Sequence, residues 1–350
     1  MVSVSLVLID RSKTVQGLYA QRSLSISTWR IAALSQVIKW GNERAAVGAT
    51  GFGGVTNRYA GESEVRALTI RHDRWLLEHA ANVNSQNGED GIIAKILEVI
   101  GQPIGWCVEF GAWDGSHLSN TYALVSRRGF SAVLIEGSER RFRDLTRTFE
   151  GNPKVLPICA FVGFSATDNL DTLLAKTSIP EEFDVLSIDI DGNDYHVWRA
   201  TTRYRPRLVV IEYNPTIPTA VDFVQPADMS VNQSSSLLAL TRLGREKGYE
   251  LVAATVANAL FVRDEYFPAF GIEDNSPATL RSDESLVTYI FNGMDGTVFI
   301  RGYGKLGWHG VPYREKRMQL VARPFRRFPD TFGPVMKKLA KAYRSIRKRV

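Results

Sequence analysis

The chain has 350 residues, 44% hydrophobic and 23% charged, the balance of a soluble folded protein with room for one large α/β domain and extensions. No apolar run reaches the roughly 18 residues of a membrane-spanning helix, and no Cys/His cluster has zinc-ligand spacing, so those two classes are excluded. The net charge of +6 is uneven: residues 314–350 hold 13 Lys and Arg against 2 acids, so a tail of +11 is joined to a body of −5.

In chain order, residues 1–75 read as an extension without a clear element pattern. Its stretch Gly48-Ala-Thr-Gly-Phe-Gly-Gly54 lacks the lysine that a phosphate-binding P-loop needs. The first residues lack the basic start of a secretion signal. Cys107 and Cys159 fall in expected strands as reduced core residues, so a cytoplasmic setting is expected. Residues 74–81 look helical. Apolar residues at 92, 93, 96, 97 and 100 then mark an amphipathic helix, preceded by the polar run Ser85-Gln-Asn-Gly-Glu-Asp90.

From there strands and helices alternate, the pattern of a mainly parallel sheet. Strands are expected at 106–110, 131–135, 154–159, 184–190, 207–213, 249–255 and 258–263. Helices are expected at 117–128, 139–149, 168–176, 194–200 and 234–247. The last two strands should form a hairpin, as should 288–291 and 297–300. The fold class is α/β: a doubly wound, Rossmann-like, mainly parallel seven-stranded sheet with flanking helices, a C-terminal hairpin and a basic helix. The expected domains are the extension 1–75, the Rossmann-like domain 76–300 and a C-terminal extension 301–350.

Two strand ends carry the chemistry. Cys107-Val-Glu-Phe-Gly-Ala-Trp-Asp-Gly115 reads as a first strand and tight turn, with Glu109, Gly111, Asp114 and Gly115 as candidate ligand contacts. The spacing is not G-x-G-x-x-G, which argues against NAD and for another adenosine ligand. Glu136 ends the second strand 21 positions past Gly115, where a carboxylate accepts from ribose hydroxyls. Farther along, Asp189, Asp191, Asn193 and Asp194 follow one buried strand, and Glu212 and Asn214 follow the next. In a parallel sheet both sets emerge at the carboxyl edge, where ligands bind. Three explanations stay open: helix capping by Asp191 or Asn193, contact with a ligand amine or hydroxyl, or coordination of a hard divalent cation by Asp189, Asp191, Glu212 and Asn214.

The order of these pieces resembles class I S-adenosylmethionine-dependent methyltransferases, and among them the FkbM type, over roughly residues 84–265. The matching motifs are Glu109-Phe-Gly111, Glu136-Gly-Ser-Glu-Arg-Arg-Phe142, Ile188-Asp-Ile-Asp-Gly192, Ile211-Glu212, Gly248-Tyr249 and Asn258-Ala-Leu-Phe-Val-Arg263. The chain departs from that pattern at Asp191, where glutamate is commoner, and at the bulky Trp113-Asp114. Ser85–Asp90 suggests a distinct subgroup.

The resemblance implies S-adenosylmethionine as cofactor and O-methylation of a glycan or other small-molecule acceptor. It implies that Glu109, Gly111, Asp114, Gly115, Glu136, Gly137, Ala160, Phe161 and Asp189 contact the cofactor. Asp191, Asp194, Glu212 and Asn214 would serve the reaction, with Mg2+ as an optional aid. His196 and His309 are further candidates for the base, although a lone histidine is more often structural. The alternatives are a metal-dependent hydrolase or sugar transferase built on the acid cluster, and a non-catalytic membrane-associated module. Residues 334–350 read as a basic amphipathic helix suited to an anionic membrane surface, at the inner face of the membrane, and no nucleic-acid-binding signature accompanies it.

Overall fold

In the computed structural model the described residues are 72–347; the expected extension lies outside them except for its last residues. They fall into two compact units that part between Thr288 and Tyr289. The hairpin expected to close the Rossmann-like domain therefore lies with the C-terminal unit.

In the larger unit, aliphatic and β-branched runs form β1 (Trp106–Phe110), β2 (Ser131–Glu136), β3 (Val155–Cys159), β4 (Val185–Ile188) and β5 (Leu208–Glu212). The centres of β1, β2, β4 and β5 are buried. That is why these strands read as continuous apolar runs and not as alternating ones. β6 (Tyr249–Ala254) and β7 (Asn258–Arg263) complete a seven-stranded sheet in the order β3-β2-β1-β4-β5-β7-β6. β1 to β5 pair in parallel, and β7 runs antiparallel between β5 and β6. The chain winds outward from β1 to β3, returns to lay β4 beside β1, and continues the other way. The strand order thus reverses between β1 and β4, the place where open α/β sheets bind ligands.

Intervening helices are α1 (Glu89–Ile100), α2 (Tyr122–Arg128), α3 (Glu139–Thr148), α4 (Leu170–Leu174), α5 (Asp194–Ala200), α6 (Leu237–Glu246) and α7 (Pro277–Leu280). Two expected bounds shift for a physical reason. α2 starts at Tyr122, not at residue 117, because Ser119, Asn120 and Thr121 turn inward to Glu109 and Leu118 sits at φ 58°. β4 stops at Ile188, and residues 189–192 form a turn around the Asp194 carboxylate. The expected helix over 74–81 is a short 3-10 turn, Trp75–His79. Cys107 is buried and Cys159 exposed, and both are free thiols.

Two buried hubs tie the sheet together. At its entry edge Asp184 accepts from the amides of Ile104, Gly105 and Trp106, and pairs with Arg207 at 3.1 Å. Arg207 also donates to the carbonyls of Ile100 and Gln102, so one ion pair joins the end of α1 to the starts of β1, β4 and β5. Ahead of α1, Asp90 Oδ2 accepts from the amides of Val83, Asn84 and Ser85, and Glu89 holds Asn87, Thr255 and Asn258. The polar run 82–90 is thus a fixed loop.

The smaller unit holds the hairpin β8 (Thr288–Asn292) and β9 (Val298–Gly302) and the helix α8 (Pro334–Arg347). Its small interior includes Val298, Ile300 and Ala340. No helix among the described residues is long and apolar enough to cross a membrane.

Candidate functional site

The candidate site gathers at the carboxyl ends of β1, β2, β4 and β5. After β1, Gly111 and Gly115 have φ of 73° and 78°. The room they leave is filled by the chain itself. A Cβ on Gly111 would stand 1.9 Å from the Asp189 carbonyl oxygen, and one on Gly115 would meet Leu145 and Phe149 at 2.5 Å. Gly111 therefore lets the β1 and β4 turns touch, a different service from the ligand clearance expected of it. Between the two glycines, Trp113 takes φ 53°, a left-handed backbone that costs a bulky residue about 1 kcal/mol. The Arg141 guanidinium lies 3.8 Å over its ring.

Glu109 is buried beneath this turn. Its carboxylate accepts from Ser119 Oγ at 2.5 Å, Thr121 Oγ1 at 2.7 Å and the Asn120 amide at 2.9 Å. Burial raises its pKa, opposed by these hydrogen bonds. Asp114 closes the turn by accepting from Ser116 and from the His117 amide. Burial pushes its pKa up, but the His117 and Ser116 bonds outweigh this and hold it below the usual range. Asn84 donates to the Ser116 carbonyl at 2.9 Å, fixing the 82–90 loop to the same turn.

At the end of β2, Glu136 Oε2 accepts from the Trp113 amide at 2.9 Å and Oε1 from the Ser138 amide at 2.7 Å. Each oxygen keeps a second lone pair for a hydroxyl donor. The Phe161 ring, past β3, is seated on Gly137: a Cβ there would come within 2.3 Å of the ring. Phe161 is nevertheless 73% exposed. Ala160 donates its amide to the Glu136 carbonyl, which sets the two strand ends side by side.

Across the switch point, oxygens of Asp189, Asp191 and Glu212 lie within 4.8 Å of one another. Asp191 stands at φ 61°, in the left-handed region like Trp113 and Leu118. Asn214 Oδ1 accepts from the Thr216 amide and hydroxyl. Asp194 is 1% exposed, and its two oxygens accept from the Ile190 and Gly192 amides at 2.9 Å each. Burial pushes its pKa up to about 6 against those bonds, and the charge of Asp191 adds to the rise. His196 has its Nε2 2.8 Å from the Gln225 carbonyl and its ring between Tyr195 and Phe164.

Sequence reading missed the segment that shapes this side. Gln225, 1% exposed, accepts from the amides of Gln233 and Ser234 and donates to the Val231 carbonyl, folding 225–234 into a strap. The strap holds the β4 turn through Asn193, which donates to Asp228 and Val231, and Asn232, which donates to the Asp191 carbonyl. These bonds cross 35 to 41 positions, so no local pattern announces them. The hydroxyl-rich run Ser119-Asn-Thr121, by contrast, carried a signal, since such residues favour turns and caps.

No family model and no curated protein matches the chain. Among solved structures, it is similar to the N-terminal domain of EvdMO1 crystallised with S-adenosylhomocysteine (SAH) and D-fucose. The identity is 14%, the match spans 65% of this chain and 96% of that one, and the TM-score is 0.35. A second is an S-adenosylmethionine-dependent methyltransferase from Clostridium acetobutylicum, with 7% identity, 50% and 90% of the two chains covered, and TM-score 0.34. A third is NcsB1, an O-methyltransferase from neocarzinostatin biosynthesis, in complex with SAH and 1,4-dihydroxy-2-naphthoic acid. Its identity is 16%, its TM-score 0.32, and the match spans 49% of this chain and about half, 52%, of that one. The second and third of these neighbours are thus methyltransferases, and the first and third were crystallised with SAH. The chain itself is a Rossmann-like α/β protein with its polar groups gathered where the strand order reverses. At this distance the likeness assigns no substrate.

Proposed function

We propose that the protein is an S-adenosylmethionine-dependent methyltransferase, of the FkbM type suggested by its motifs, that methylates a hydroxyl of a glycan or other small molecule. The observation that carries this reading is the pairing of Glu136 with the open Phe161 ring on Gly137. One group can accept from ribose hydroxyls and the other can stack on a purine, the two demands of an adenosine ligand.

In this reading S-adenosylmethionine supplies an electrophilic methyl group on its sulfonium. The protein's work is to hold the acceptor oxygen roughly 3 Å from that carbon and in line with the departing sulfur. The protein's own share of the step would be to take the acceptor hydroxyl's proton on a carboxylate. Asp191, which is exposed, and Glu212 can take that proton. Asp194 spends both oxygens on backbone amides and instead shapes the turn that presents Asp191. Glu109 supports the β1 turn from below.

The all-oxygen set Asp189, Asp191 and Glu212 suits a hard divalent cation, which would lower the hydroxyl's pKa. The same cluster is what favours a second reading, a metal-dependent hydrolase or sugar transferase.

Titration calorimetry with SAH separates the two. Wild-type protein should bind, and Phe161→Ala, which removes an exposed ring and leaves the core intact, should bind on the order of tenfold more weakly. Wild-type protein that fails to bind SAH, with or without Mg2+, would overturn the methyltransferase reading.

A further inference from the structure

We propose that the C-terminal unit docks the protein on an anionic lipid surface, with α8 lying in the membrane–water interface. This does not rest on the methyltransferase reading.

The sequence places all the apolar residues of α8 on one broad face. The structure divides them into two stripes. Met336, Ala340 and Tyr343 form the stripe turned to the unit: Ala340 is buried, and Tyr343 stacks on Phe325 at 5.1 Å and donates to the Leu320 carbonyl. Val335, Leu339 and Ile346 form the other, at helical spacing, and are 72%, 52% and 64% exposed. The helix is therefore already anchored by one apolar face, and a second faces outward. Single exposed apolar residues are ordinary, whereas a row of three large ones on one helix marks an interaction surface.

Charge identifies the occupant. Lys337, Lys338, Lys341 and Arg344 are exposed on the remaining arc of α8, and no acid lies on the helix. An apolar stripe flanked by ammonium and guanidinium groups matches a lipid interface: acyl chains accept the stripe and anionic headgroups face the cations. The rest of the unit agrees. Trp308 and Val311, within the Lys305–Pro312 bridged turn, and Met294, at the turn of the β8–β9 hairpin, are 48%, 53% and 85% exposed. Exposed Trp and Met at turn tips suit the headgroup level of a bilayer.

The test is vesicle flotation of the full chain, using phosphatidylcholine alone and phosphatidylcholine mixed with phosphatidylglycerol. Wild-type protein should float with the anionic vesicles and not with the neutral ones. Leu339→Ser/Ile346→Ser should lose the fraction that resists high salt. Lys338→Gln/Lys341→Gln should bind anionic vesicles roughly thirtyfold more weakly, since each cation near such a surface contributes about 1 kcal/mol. All four side chains are exposed, so the thermal midpoint of each variant should match wild type. Flotation that is equal for wild type and the Leu339/Ile346 variant overturns the proposal, as does absence of wild-type binding to anionic vesicles. So does a sedimentation shift from dimer to monomer in that variant without any lipid binding, which would assign the stripe to a second copy of this chain.

Discussion

A few residues at the candidate site take on work different from what their type and position suggest. Glu109 is the clearest. It sits where a carboxylate could meet a ligand's ammonium, yet its three hydrogen bonds go to Ser119, Asn120 and Thr121 of the same chain. Burial holds its folded-state pKa above the ordinary 4.5. The native state therefore keeps this proton to higher pH than the unfolded chain does. Stability from this group is complete below about pH 4.5 and falls as pH rises through the folded value. Glu109→Gln has the shape without the titration. The stability advantage of wild type over Glu109→Gln, measured by urea unfolding, should shrink from about pH 4 to about pH 8. A difference that is constant with pH would show that burial leaves Glu109 at its unfolded-state value. Gly111 makes the same point: the glycine is required, but by the Asp189 carbonyl.

At the scale of elements, the sheet was legible because its buried strands are short apolar runs that end in acids, and β1, α5 and β7 have the expected bounds. The end of β2 was legible for the same reason. The helix after β1 was not, because Ser116–Thr121 is compatible with a helix until Glu109 is known to draw its hydroxyls inward. The strap over 225–234 was illegible for a deeper reason. Its stability comes from one buried glutamine and from bonds to a turn some 35 positions away, and sequence periodicity carries no trace of either. The acid cluster was seen as four residues in two groups. Its three carboxylates come together, and Asn214 also caps its own loop by accepting from Thr216. The carboxyl edge was thus predictable in its residue types, and its division of labour was not.

Across the molecule, the two edges of the sheet are built for different ends. The carboxyl edge keeps carboxylates near one another and holds Trp113, Leu118 and Asp191 in a left-handed backbone. At the opposite edge Asp184 and Arg207 are both buried, and the pair satisfies three backbone amides and two carbonyls. Removing one partner leaves the other charge buried, so Asp184→Asn should lower the urea-unfolding free energy by about 3 kcal/mol. SAH affinity of the folded fraction should be unchanged, and a matching loss of affinity would show that the two edges are coupled. The loop ahead of α1 has its own signature in time. Held by Asp90, the amides of Val83, Asn84 and Ser85 can exchange their hydrogens with solvent only when that carboxylate lets go. A deuterium map should therefore show three slow amides outside any helix or strand, and Asp90→Ala should return them to the rate of an open chain. The first part of this protein to breathe would then be found in segments without a carboxylate to hold them, and not simply wherever regular structure stops.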